Sequence, residues 1–217
     1  MNLTELGLKY GTDKASVHGF TEIYDNYLEF RRDETLKLLE VGVLIGSSLK
    51  MWEQYFNNSI IYGADIFTEE ERNTLKQTEE NIKFRDLSFE DRTTIFITDQ
   101  EKVEDLLLLP TDLDIIIDDG GHTMFQQQLT FKTLFGNINS KGVYILEDLH
   151  TSHYPHYGAT QSNNTLQLLE DLKLGIMSDN NNYYITKEEF NSLFDAIDFI
   201  QIYKVKEGSI TSIIQKK

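Results

Sequence analysis

Apolar positions in this chain fall into short continuous runs separated by stretches of helical spacing. The runs are residues 36–41 (LKLLEV), 60–67 (IIYGADIF), 94–97 (TIFI), 114–118 (DIIID) and 142–146 (GVYIL). Continuous rather than alternating apolarity marks strands covered on both faces, as in a parallel sheet whose crossover helices pack on either side. Between the runs, Phe20, Ile23, Tyr24, Tyr27 and Leu28 recur at helical spacing, and a helix opens at Gly46-Ser47-Ser48 and passes through Met51, Trp52 and Phe56. Further helices are predicted over 103–109, where Pro110 stops the chain, and over 124–135, 165–174 and 187–193. Residues 68–92 are charged and loosely periodic, a surface helix followed by a strand or loop. IDFIQIYKV and SITSIIQKK, separated by Lys206-Glu207-Gly208, read as a closing β-hairpin. The pattern predicts an α/β fold: a doubly wound, mostly parallel, seven-stranded Rossmann-like sheet with helices on both faces and a C-terminal antiparallel hairpin. Residues 1–217 form one domain in this reading, with an N-terminal helical segment over 1–35 and a substrate-facing loop and helices over 149–195.

The polar residues sit where such a sheet binds ligands. Gly42, Asp65, Asp99, Asp118 and Glu147 all fall at carboxyl ends of predicted strands, the side on which doubly wound folds carry their sites. Glycines at 42 and 46 let a ligand approach the backbone, and the free amides of the following helix can bind polar ligand atoms. Their spacing is wider than that of the dinucleotide fingerprint, which disfavours NAD. Asp65 is placed to accept hydrogen bonds from ribose hydroxyls.

The densest chemistry lies in residues 113–148, where two strand ends deliver Asp118, Asp119, Glu147 and Asp148 with His122 close by. Asp119, Glu147 and Asp148 offer hard oxygen ligands and no sulfur, a set that suits magnesium, manganese or calcium better than zinc or copper. A divalent ion would also relieve their mutual repulsion. In a second reading the same acids merely cap the segments that follow. His122 can take a proton near neutral pH. The loop after Asp148 adds His150, His153 and His156 with Tyr154 and Tyr157, read as a substrate-facing loop rather than a second metal site.

Composition narrows the classes. A net charge of −16 argues against a nucleic-acid groove and leaves a neutral or cationic small-molecule acceptor easier to accommodate. The absence of cysteine excludes thiolate chemistry and fits a reducing compartment. No apolar run approaches a membrane span and the N-terminus lacks an export signal, so the expectation is a cytoplasmic protein.

Taken together, LLEVGVLIGSSLKMW, IYGADI, ITDQ, DIIIDDGGH and LEDLHTSHYPHYGA resemble the class I S-adenosylmethionine (SAM) methyltransferases. More narrowly they are similar to the metal-dependent O-methyltransferases that modify sugar hydroxyls of macrolides and bacterial polysaccharides, and KYGTDKASVHGFTEIYDNYL resembles the N-terminal segment of that group. The resemblance implies that Glu40, Gly42, Gly46 and Ser47 surround the methionine half of SAM, that Asp65 holds the ribose, and that Asp99 and Gln100 lie near adenine. FRDLS at 84–88 is the competing segment for the adenine contact. It further implies a magnesium site of Asp119, Glu147 and Asp148, with His122 as general base and Asp118 on the SAM side, and it allows a homodimer. The rival readings are a metal-dependent O-methyltransferase of a catechol or small phenol, a non-haem iron oxygenase using His122, an acid and His150, and a SAM-binding protein without catalysis.

Overall fold

Seven strands build one sheet in the computed structural model, which describes residues 1–78 and 87–217. They are β1 (Lys37–Val41), β2 (Ile60–Asp65), β3 (Thr93–Ile97), β4 (Leu113–Asp118), β5 (Ile138–Leu146), β6 (Ile197–Lys204) and β7 (Ile210–Lys216), in the spatial order β3-β2-β1-β4-β5-β7-β6. β1 to β5 run parallel, while β7 lies antiparallel between β5 and β6. The chain winds outward from β1 to β3 and then returns to β4 on the other side of β1. That reversal opens a crevice at the carboxyl ends of β1 and β4, where doubly wound sheets bind ligands.

The helices are α1 (Leu3–Tyr10), α2 (Asp13–Ser16), α3 (Phe20–Leu28), α4 (Ser47–Tyr55), α5 (Glu69–Thr78), α6 (Val103–Leu106), α7 (Met124–Leu134), α8 (Thr165–Leu174) and α9 (Lys187–Ala196). They cover both faces because successive strand side chains point opposite ways. In β4, Ile116 packs with Phe131 of α7, Leu168 of α8 and Phe190 of α9. Its neighbours Ile115 and Ile117 face Trp52 of α4, Leu6 of α1 and Tyr24 of α3. The uninterrupted apolar runs of the sequence are this two-sided burial.

The structure departs from the sequence reading in several elements. The helix expected over 103–109 forms only as Val103–Leu106, although Leu109 is still buried. β5 starts at Ile138 rather than at 142, with an irregular register opposite Leu113 and Ile115. The loop after Asp148 contains two single turns of 3-10 helix, Leu149–His153 and Pro155–Tyr157. The N-terminal segment contains α1 and α2, hinged at Gly11, whose φ of 76° is left-handed. Of the FRDLS segment, residues 84–86 lie outside the described residues, as does the rest of 79–86.

Candidate active site

The crevice is a cavity of about 600 Å³. Its floor is set by Gly42, whose φ is 90° and whose Cβ, if present, would stand 2.0 Å from the carbonyl oxygen of Asp119. Only glycine permits the ends of β1 and β4 to approach this closely. Backbone pairing continues past the strands: the Asp119 amide donates to Val41 at 2.8 Å, and the Glu147 amide to Asp118 at 3.0 Å. The acids that follow are thereby carried to one edge of the sheet.

On the cofactor side, Gly42, Ser47, Asp65, Asp99 and Gln100 line the cavity, and Glu40, Gly46 and Asp118 do not. Asp65 accepts the amides of Val43 and Leu44 at 2.7 Å on one oxygen and that of Phe67 at 2.9 Å on the other, so its carboxylate fixes the loop after β1. The Ser47 hydroxyl, at the start of α4, is buried without a hydrogen-bond partner among the described residues. Asp99 pairs with Lys102 at 3.0 Å, and that hydrogen bond holds its carboxyl below the usual range. Gln100 bridges the turn, donating to Asp118 at 2.9 Å and accepting the amide of Gly121 at 2.9 Å. Asp118 also receives the Tyr144 hydroxyl at 2.8 Å, and burial pushes its carboxyl up to about 7 against those donors. It acts behind the wall, as the anchor of the turn.

The acid cluster lines the same cavity. Asp119, His122 and Asp148 each place one ligand atom within 4.8 Å of the others, a geometry able to hold a metal ion. His122 and Asp148 both adopt left-handed backbone angles, φ 62° and 54°, which non-glycine residues take at a cost and which recur at functional sites. Thr151 stabilises this turn by donating its hydroxyl to the carbonyls of His122 at 3.1 Å and Asp148 at 2.8 Å. His122 Nε2 stands 3.4 Å from Asp148 Oδ2. Glu147 does not line the cavity and stands outside the three-residue group. Its Oε2 pairs at 2.9 Å with Lys14, a side chain that is fully buried. Lys14 also pairs with Asp119 and, at 3.4 Å, with Glu40.

Burial alone would lower the Lys14 pKa, but Asp119, Glu147 and Glu40 together drive it well above the usual value. Burial likewise raises Glu147 strongly and Asp119 to a lesser degree, each opposed by the Lys14 ammonium. Glu40 rises to about 7 for the same reason, with Ser48 donating to it at 2.9 Å. One oxygen of Glu147 and one of Asp148 remain buried with no hydrogen-bond partner among the described residues. Orphaned carboxylate oxygens beside a set of hard ligands are what a divalent cation would satisfy.

No family model matches the chain. Among curated proteins, it is 33% identical over 164 residues to the L-olivosyl-oleandolide 3-O-methyltransferase of Streptomyces antibioticus, covering 72% of this chain and 39% of that relative. It is 30% identical over 173 residues to the 8-demethyl-8-alpha-L-rhamnosyl tetracenomycin-C 2'-O-methyltransferase of Streptomyces olivaceus, covering 75% and 42%. The structure superposes over its whole length on 55% of the MycE methyltransferase of the mycinamycin pathway, solved with Mg and SAH, at a TM-score of 0.76 and 26% identity. The chain has a class I methyltransferase fold and resembles macrolide-pathway sugar O-methyltransferases. The matched region spans about two fifths of the length of these curated relatives.

Within this methyltransferase fold, the sequence reading did not single out Lys14. A lone lysine in a four-residue helix has neither periodicity nor motif to mark it, and two of the acids it joins, Asp119 and Glu147, lie more than a hundred residues further along the chain. The available signal was electrostatic, since acids gathered at two strand ends demand a cation from somewhere in the chain. His18 was missed similarly. It packs 6.4 Å from His150 and shares a 2.6 Å hydrogen bond with Ser209.

Proposed function

We propose that this protein is a SAM- and Mg2+-dependent O-methyltransferase that methylates a hydroxyl of a sugar, in a glycan or a glycosylated small molecule, in the cytoplasm. The observation that carries this reading is the junction of two sites in one cavity: a glycine-floored crevice at the β1–β4 switch, and the Asp119–His122–Asp148 cluster in its lining. The named activities of the relatives support the sugar acceptor, and MycE, solved with Mg and SAH, supports the two cofactors.

The residues present fit both groups. Gly42 leaves room at the floor, and the Ser47 hydroxyl offers an unpartnered polar atom to a bound ligand. Asp65, Asp99 and Gln100 also line the cavity, where ribose and adenine belong in this reading. Asp119 and Asp148, which line the cavity, would hold the cation, with Glu147, the third expected ligand, standing outside the three-residue group; Asp148 Oδ1 and Glu147 Oε1 accept no hydrogen bond among the described residues, and His150 Nδ1 stands 3.7 Å from the former. When bound, the metal supplies Lewis-acid polarisation of the acceptor hydroxyl and SAM supplies the methyl group.

His122 takes the acceptor's proton in this reading, and the Asp148 carboxylate, 3.4 Å from its Nε2, favours the imidazolium it becomes. The loop 149–158, which follows Asp148 directly but contributes no residue to the cavity lining, is the expected acceptor-facing segment in this reading. Tyr154 stacks on His156 at 5.7 Å, leaving an aromatic surface about half exposed for a sugar ring to lie against.

The oxygenase alternative requires two imidazoles and one carboxylate on the metal, and the cluster here presents one imidazole with two carboxylates, a set suited to a hard cation. A thermal-shift titration tests the cofactor assignment: SAH and Mg2+ are each expected to raise the melting temperature, as ligands of the folded state must. No shift with either would overturn the reading. Methylation of glycosides but not of catechols separates the sugar enzyme from its phenol-directed rival.

A further inference from the structure

Lys14 enters none of the roles described so far, yet it is fully buried and touches three carboxylates from three strand ends. Its backbone has little freedom. Thr12 caps the short helix through the Lys14 amide, and Ala15 presses on α1 at Gly7, where a side-chain carbon would come within 2.6 Å of the Ala15 methyl. The ammonium is thus delivered to a fixed point between β1, β4 and β5. It takes one oxygen each from Asp119, Glu147 and Glu40. The second oxygen of Glu40 accepts the Ser48 hydroxyl, whereas the second oxygen of Glu147 is buried with no partner among the described residues.

We propose that Lys14 is the positioning residue of the cation site, holding Asp119 by one oxygen and tying it to Glu147 and Glu40 behind it, so that Asp119 is presented to the metal. The inference rests on the metal-dependent reading above. It assigns the N-terminal helices a task in the site: α1 packs on α4, and α2 brings in the charge that keeps neighbouring acids from turning away from one another. Partners that orient metal ligands from behind are typically worth ten- to a hundredfold in metal affinity.

The test measures Mn2+ binding to the full-length protein by calorimetry, without SAM or acceptor, alongside the melting temperature of each metal-free variant. Lys14→Met is expected to weaken Mn2+ at least roughly tenfold while a folded, cooperative transition persists. Lys14→Arg retains the charge but replaces the ammonium with a wider planar fork, and it is expected to weaken Mn2+ by a similar factor, which also covers the case in which Lys14→Met fails to fold. Unchanged or tighter binding in a folded variant would overturn the proposal, since Lys14 would then be only a counter-ion competing with the metal. If the wild-type protein binds no Mn2+, the metal-dependent reading itself falls, and the proposal with it.

Discussion

His122 is held at a left-handed turn by Thr151 and faces Asp148, so its position is set by the chain before any substrate arrives. In the proposed role of proton acceptor it would contribute about 10²- to 10⁴-fold, and His122→Ala is expected to reduce kcat by at least 10²-fold with SAH affinity retained. Initial rates at saturating SAM check this, and a wild-type rate would remove His122 from the mechanism. Gly42 makes a different kind of contribution. A methyl group there would collide with the Asp119 carbonyl at a left-handed φ, so Gly42→Ala is expected to cost about 2 kcal/mol of stability or more, measured by denaturant unfolding. At this scale the acids of the site and His122 were legible in the sequence, because they follow apolar runs directly and strand ends carry sites. The division of labour among them was not legible. Asp118 and Asp119 are neighbours in sequence, but the alternation of β4 turns one inward to Tyr144 and Gln100 and the other toward Lys14 and the cavity.

Among the elements, α7 couples stability to the site most directly, because it begins one residue after the turn that bears His122. Its capping box joins Thr123 and Gln126: the Thr123 hydroxyl accepts the Gln126 amide at 3.2 Å, and Gln126 Oε1 accepts the Thr123 amide at 3.1 Å. Thr123→Ala is expected to cost about 1 kcal/mol, lowering the melting temperature by about 2–4 °C for a chain of this size. It is also expected to lower activity by loosening the His122 turn; an unchanged melting temperature would show that the cap contributes nothing. The strands and the long helices were readable because burial on two faces and the 3.6-residue period leave their mark on composition. α2 was not readable: four residues cannot show a period, and what holds α2 in place is tertiary contact with α1 and with three distant carboxylates. The early start of β5 escaped for the opposite reason, since Asn139, Ser140 and Lys141 are polar and fall in the irregular stretch between the Ile138 and Val143 pairings.

For the molecule as a whole, the net charge of −16 is concentrated partly inside, around one lysine. Burial lifts both Glu40 and Asp118 to about 7 from their ordinary carboxylate values. Folding therefore takes up protons at these groups between those values and about pH 7. Their contribution to stability is fully present below the unfolded-state values and is lost as pH rises through about 7. The metal-free protein is expected to melt at progressively lower temperature from about pH 5.5 to about pH 8, and a bound divalent cation to reduce that slope; a melting temperature rising over this range would contradict the burial of neutral acids. The curated relatives are more than twice the length of the matched region, so the acceptor is tested by chemistry rather than by likeness. The most direct measurement follows methyl transfer from SAM to a panel of olivosyl and rhamnosyl glycosides by mass spectrometry, with Mg2+ and again after chelation. The account predicts a product heavier by one CH2 on a sugar hydroxyl, lost with the chelator and restored by added Mg2+. Transfer that persists undiminished in the chelator, or none to any sugar hydroxyl while a phenol is methylated, would contradict it.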